Sequence, residues 1–177
     1  VQVRPAEARD LEAIRSIVNR EIAEGGAHFG LNPLSAEEVR AGFDRDSAVY
    51  PWFVAEGDDR VIGFAKGGAW KPRGAYEWAV EIGVYVDADC RGRGAGRALY
   101  DALLPELERR GFRCVIGGIA LPNEASIRLH EAVGMTHIGT LPSVGYKHGR
   151  WRDVGYWVLL LGDGAPEPIP GLHPDSG

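Results

Sequence analysis

The chain has 177 residues, 45% apolar and 25% charged, with a formal charge of −5, two cysteines and five histidines. This suits one globular domain with a core of its own, and the negative balance argues against nucleic acid as the main partner. No apolar run approaches the roughly 20 residues of a membrane helix, Cys90, Cys114 and the scattered histidines have no disulfide or metal-ligand spacing, and no basic-then-apolar leader pattern opens the chain, so a cytoplasmic protein without membrane or metal is expected.

In chain order, Val1 to Arg4 alternates as a short strand, and Asp10 is placed to cap a helix whose apolar face is Leu11, Ile14, Ile17, Val18 and Ile22. Gly25-Gly26 stops that helix and opens a loop to Leu34 that carries His28 and Phe29; it reads equally as filler or as a substrate lid. Ser35 with Glu38 is a capping box for a second helix through about Asp44. Tyr50 to Glu56 and Val61 to Trp70 form a hairpin around Gly57-Asp58-Asp59, and Tyr76 to Val86 reads as one long strand.

A glycine cluster follows, then a helical pattern from Gly94 to Arg110 in which Pro105 predicts a kink. Arg113 to Ala120 is a buried strand, Glu124 to Val133 a helix, and Met135 to Tyr146 with Arg152 to Leu161 a final strand pair. Residues 1–161 thus read as one domain, an α/β (α+β) unit with a single mixed sheet flanked by helices. Residues 162–177, rich in Pro and Gly, read as a loosely packed tail.

The informative stretch is the turn from strand to helix. Gly92, Gly94 and Gly96 let a ligand approach the main chain, and the first turn of the following helix has N–H groups with no internal partner. Such a helix start attracts phosphate, and Arg91, Arg93 and Arg97 concentrate positive charge there in an acidic protein. Cys90, beside this loop, reads as a solvent-facing thiol. A nucleotide P-loop requires Lys and then Ser or Thr after the last glycine, where Arg97-Ala98 stand. A dinucleotide fingerprint requires glycine at 97 or 99, and Arg97 and Leu99 occupy those positions.

The remaining pattern, Arg91-x-x-Gly94-x-Gly96, resembles the pyrophosphate-binding signature of the GNAT superfamily of N-acetyltransferases, whose co-substrate is acetyl-CoA. A second block, LPNEASIRLHEAVGM from Leu121 to Met135, is similar to the superfamily's pantetheine-side segment. A third, VGYKHGRWRDVGYW from Val144 to Trp157, looks like the C-terminal part of the phosphinothricin acetyltransferase group, which includes methionine sulfoximine and sulfone acetyltransferases. With Pro51-Trp52, Ala69-Trp70-Lys71 and Tyr76-Glu77-Trp78 the resemblance covers nearly all of the chain to Leu161.

The resemblance implies a GNAT fold and acetyl-CoA held by the main chain of Val84, Tyr85 and Val86, by Arg91, Gly92, Arg93, Gly94, Ala95, Gly96 and Arg97 at the pyrophosphate, and by Asn123 and Ser126 beside the pantetheine arm. It places the catalytic residues at Glu81, as base, and His130, with Tyr85 near the sulfur. The acceptor, a small amino-acid-like amine, would meet Phe29, Lys71, Pro72, Arg73, Tyr76, Glu81, Ile82 and Gly83, with Lys71 and Arg73 at its carboxylate. Ile82-Gly83 and Gly25-Gly26-Ala27-His28 depart from the group's pattern, which leaves the acceptor open: a polyamine, an aminoglycoside and a protein N-terminus are alternatives, as is a non-catalytic acyl-CoA sensor. A homodimer is expected from the resemblance and from Tyr146, Trp151, Tyr156 and Trp157 near the C-terminus.

Overall fold

A computed structural model describes residues 1–172. Eleven regular elements follow one another as β1 (Gln2–Pro5), α1 (Leu11–Glu24), α2 (Ala36–Asp46), β2 (Trp52–Gly57), β3 (Arg60–Ala69), β4 (Ala79–Val86), α3 (Ala95–Arg109), β5 (Cys114–Ala120), α4 (Glu124–Ala132), β6 (Thr136–Lys147) and β7 (Arg150–Leu160). The predicted order of strands and helices holds throughout. One 7-stranded sheet runs β1-β2-β3-β4-β5-β7-β6, and its only parallel pair among the described residues is β4 with β5.

Strand alternation sends side chains to two cores. Val80 and Ile82 of β4 and Val115 of β5 face α3, where Leu99, Tyr100, Leu103 and Leu107 are fully buried. Trp52, Val54 and Phe64 face α1 and its row of Leu11, Ile14, Val18 and Ile22, and Tyr85 packs on that side. Glu81 and Gly83 share the parity of Tyr85, so the α1 face of β4 carries the one acidic residue of the strand.

The parallel pairing is short. It runs from Ala79↔Cys114 to Ile82↔Gly117 and stops, while β4 remains bonded to β3 as far as Val86 and β5 to β7 as far as Ala120. Beyond Ile82 the facing edges of β4 and β5 therefore have no partner in each other. Buried main-chain groups require partners, so this splay is a slot for something that brings its own amides.

Several local expectations change. Asp10 does not cap α1: its carboxylate accepts from both Arg4 terminal nitrogens, at 2.7 and 2.8 Å, and from the Glu7 N–H, because the tertiary charge partner outcompetes the local N–H groups. Ser35 and Glu38 do form the reciprocal capping box. The long strand begins only at Ala79, since Gly74–Tyr76 wind into a short 3-10 turn, and α3 continues through Pro105 as one helix. Cys90 is 2% exposed and receives a hydrogen bond from Arg60, so it is not a solvent-facing thiol.

The stretch after Leu161 packs more firmly than its composition suggests. Ile169 is buried in the α3-side core, and Trp78 donates its indole N–H to the Glu167 carbonyl at 2.7 Å. The part of the expected tail from 173 to 177 lies outside the described residues.

Candidate active site

The splay opens into two adjoining cavities, of about 510 and 860 Å³, with Ala27, Val84, Tyr85, Ala120, Asn123 and Ser126 lining both. The larger lies against the start of α3 and is lined by Val86, Arg91, Gly92, Gly94, Ala95, Gly96 and Arg97. Gly92 and Gly94 have φ of +77° and +84°, and a Cβ built at either meets nothing within 4 Å. The main chain here is left-handed and bare, with the free N–H groups of the first turn of α3 beside it. These features fit the phosphates of a CoA thioester, and the unpaired edges of β4 and β5 fit its amide-bearing arm.

The arginines are arranged differently from one another. Arg91 donates to buried Glu21 at 2.9 Å, and Arg97 to Asp101 at 2.8 Å and to the Ala132 carbonyl. Arg93 reaches away to Asp58 and does not line the cleft. Asn123 uses its side-chain oxygen to cap α4 through the Ser126 N–H at 3.1 Å. The opposite wall carries Arg128, His148, Arg150 and Arg152, which sequence reasoning missed. Arg152 is 9% exposed with its Nε unpartnered; only the hairpin β6–β7 folding back over Gly26 brings it here.

The smaller cavity contains Glu81, Lys66, Tyr100, His130 and Tyr156, with His28 and Phe29 from the loop after α1. This loop is held by Lys147, whose amine donates to the His28 carbonyl at 2.6 Å, and by Glu21, which accepts from the Ala27 N–H. Phe29 lies on Gly145, where a Cβ would be 2.4 Å from its ring. Burial raises the Glu81 carboxyl above the ordinary glutamate range, against the opposing pull of Lys66 and Lys71.

His130 is buried, and its two ring nitrogens are both engaged. Nδ1 lies 2.7 Å from the Ser126 carbonyl oxygen, which only accepts, so Nδ1 carries a proton and donates it. Nε2 is 3.0 Å from the Tyr100 hydroxyl, and in the neutral ring it accepts that O–H. Burial lowers the imidazole pKa, favouring this neutral form. Tyr85 stacks on Phe64, and burial pushes its phenol up to about 12, so it stays protonated. Tyr100 was invisible in the sequence, where it reads as one more apolar position of α3.

The ring of His130 rests on Gly117: a Cβ there would lie 2.6 Å from Cδ2 and 2.7 Å from Nε2. Gly117→Ala is accordingly expected to displace His130 from Tyr100 and to destabilise the protein by about 1–3 kcal/mol, read from the urea midpoint. An unchanged midpoint would show that the ring shifts at no cost.

Of the predicted acceptor residues, Phe29, Glu81, Ile82 and Gly83 line the smaller cavity, whereas Lys71, Pro72, Arg73 and Tyr76 do not. The latter four are exposed on the turn before β4. Lys71 lies over the Trp70 ring at 5.1 Å, and Trp70 meets Tyr156 edge-on, so this turn borders the cavity rather than forming its wall. No group of three or more His, Cys, Asp or Glu among the described residues is arranged to hold a metal.

A mixed sheet split between β4 and β5, with a bare glycine turn at one end of the split and a carboxylate and a histidine at the other, defines an acyltransferase that works on thioesters. The chain belongs to the acetyltransferase (GNAT) family, whose model matches residues 15–135. It is 45% identical over 157 residues to the phosphinothricin N-acetyltransferase of Streptomyces viridochromogenes, covering 89% of this chain and 86% of that one. To the L-methionine sulfoximine/L-methionine sulfone acetyltransferase of Salmonella typhimurium it is 34% identical over 164 residues, covering 92% and 96%. The GNAT superfamily phosphinothricin acetyltransferase of Sinorhizobium meliloti, solved in complex with acetyl-CoA, superposes with a TM-score of 0.88 at 34% identity over 99% of this chain and 96% of that one.

Proposed function

We propose that the enzyme transfers acetyl from acetyl-CoA to the α-amine of a small amino-acid-like acceptor of the phosphinothricin and methionine sulfone class. The observation that carries this reading is Glu81, the one carboxylate among the described residues lining the cavity that adjoins the thioester-sized cleft. Acetyl-CoA supplies a thioester-activated acetyl group; the chain holds it with the α3 N-terminal N–H groups, Arg91, Arg97 and the wall of Arg128, Arg150 and Arg152. The free main-chain edge of Val84 to Val86 pairs with its amides, and an N–H near Val84 polarises the carbonyl.

Glu81 takes the proton of the acceptor ammonium, directly or through one water, freeing the lone pair for attack. Tyr85 offers a protonated O–H where the two cavities meet, on the side at which thiolate charge develops. His130 acts as a pair with Tyr100, whose hydroxyl its Nε2 holds. Lys71 and Arg73, on the turn that borders the cavity, receive the acceptor's carboxylate.

Two chains pairing through the edge strand β6 would cover Ile138, Leu141, Val144, Tyr146 and Trp151, all exposed. With Cys90 and Cys114 both free thiols, a reducing cytoplasm suits the chain.

The test is thiol release from acetyl-CoA across phosphinothricin, methionine sulfoximine, methionine sulfone, ordinary amino acids, a polyamine and an aminoglycoside. Turnover confined to the amino-acid set supports the proposal. Turnover on the cationic amines alone removes it, and tight acetyl-CoA binding with no turnover on any amine favours a sensor.

A further inference from the structure

Lys66 has no role in the chemistry above, yet its surroundings are unusual for a lysine. Apart from Arg60 at the strand's first position it is the only cation in the otherwise apolar β3, and it is the only lysine or arginine among the described residues that line the smaller cavity. Its amine lies 4.5 Å from the centre of the Trp52 ring, and no carboxylate hydrogen-bonds it. Burial pulls its pKa down, which is the mark of a charge that has lost water and gained too little in return. Asp46 and Glu81 act on it only through space, and Arg45 opposes them.

The register fixes where this charge lies relative to the reacting amine. Lys66 is opposite Gly83 on β4, and Glu81 is opposite Gly68. Lys66 and Glu81 are thus diagonal neighbours on one face, about 7–8 Å apart and somewhat closer between Cβ atoms. Lys66 also leans toward Trp52 on β2, away from β4. With the acceptor's amine at Glu81 and its carboxylate taken by Lys71 and Arg73, as proposed above, the α-carboxylate is not the partner of Lys66. A group several bonds further along the side chain does reach it. Gly83 leaves the floor between them clear, since a Cβ there would meet only the Tyr85 ring, at 3.3 Å.

We propose that Lys66 binds an anionic group at the far end of the acceptor, so that this enzyme prefers amino acids with a second negative charge, a phosphinate or a side-chain carboxylate, over neutral sulfones. The inference rests on the amino-acid acceptor proposed above. A phosphinate oxygen takes a charge-assisted hydrogen bond from the ammonium and offsets its desolvation; a sulfone oxygen accepts the same hydrogen bond without the opposite charge.

The experiment compares kcat/KM for phosphinothricin and methionine sulfone in the wild-type enzyme, Lys66→Met and Lys66→Arg. Loss of a hydrogen bond between charged groups predicts that Lys66→Met lowers the phosphinothricin-to-sulfone ratio by about tenfold or more, mostly through the KM for phosphinothricin, and that Lys66→Arg restores most of it. Binding of phosphinothricin to the CoA-loaded protein, followed by thermal shift, must weaken in parallel. A ratio unchanged in Lys66→Met, or equal losses on both acceptors, overturns the inference and leaves the acceptor class standing. A wild-type enzyme silent on both amino acids but active on a polyamine overturns both.

Discussion

Glu81→Gln is expected to lower kcat/KM for the amine by about 100- to 10,000-fold, the usual contribution of a positioned general base, while acetyl-CoA still binds. Gln is nearly isosteric and keeps the hydrogen-bonding shape of the cavity floor, but it cannot take a proton. Stability should change little, because Glu81 is exposed to the cavity and no side chain depends on it for a salt bridge. The pH profile carries the sharper prediction. Burial raises the Glu81 pKa, and only the deprotonated carboxylate acts as base, so the wild-type rate should fall with decreasing pH through a midpoint above the ordinary glutamate range. In Glu81→Gln that acidic limb should vanish along with most of the rate. A variant that keeps the wild-type rate, or loses rate but keeps the limb, would assign the proton transfer elsewhere, with the buried His130 the first alternative.

The engagement of both His130 nitrogens bears on that alternative. A histidine that donates through Nδ1 to a main-chain carbonyl and accepts at Nε2 from a tyrosine is held in one tautomer. Both rings line the smaller cavity, so His130 and Tyr100 face it as one hydrogen-bonded pair. The same packing explains Gly117 and the lowered imidazole pKa: the ring is only 4% exposed and rests where only a glycine leaves room.

What the sequence disclosed was local, and what it hid was long-range. The Ser35–Glu38 box and the glycine turn are written in consecutive residues and appear as expected. Glu81 stood out because an acid interrupts an apolar strand. Asp10 was misread because its carboxylate is taken by the Arg4 guanidinium six residues earlier, a partner that capping rules do not weigh. Lys71 and Arg73 were placed at the acceptor by resemblance, and the fold leaves them on the bordering turn. Lys66 carries the same signal as Glu81, one charge in an apolar run. Tyr100 and Arg152 gave no signal: each reaches the site only because α3 passes beneath the split strands and the β6–β7 hairpin returns over the loop after α1.

Gly94→Ala is expected to raise the KM for acetyl-CoA by about 10- to 100-fold, the loss of one or two hydrogen bonds to a charged group. Two effects act at this position. Gly94 caps α3 with φ of +84°, a left-handed conformation that costs any other residue roughly 1–2 kcal/mol. A methyl group there also points into open space within the cleft rather than into the protein, so in the proposed complex it occupies ground where phosphate approaches the main chain. Gly111, at the other end of α3, separates the two effects. Its φ is +95° and its nearest neighbour would be Ile169 at 3.9 Å, far from the cleft lining. Gly111→Ala should therefore lower the melting temperature by a similar amount and leave the KM for acetyl-CoA within about twofold of wild type, since backbone strain alone does not alter phosphate contacts. If both variants lost acetyl-CoA affinity equally, strain in α3 would account for the effect and the bare turn at Gly92 and Gly94 would not be the phosphate seat.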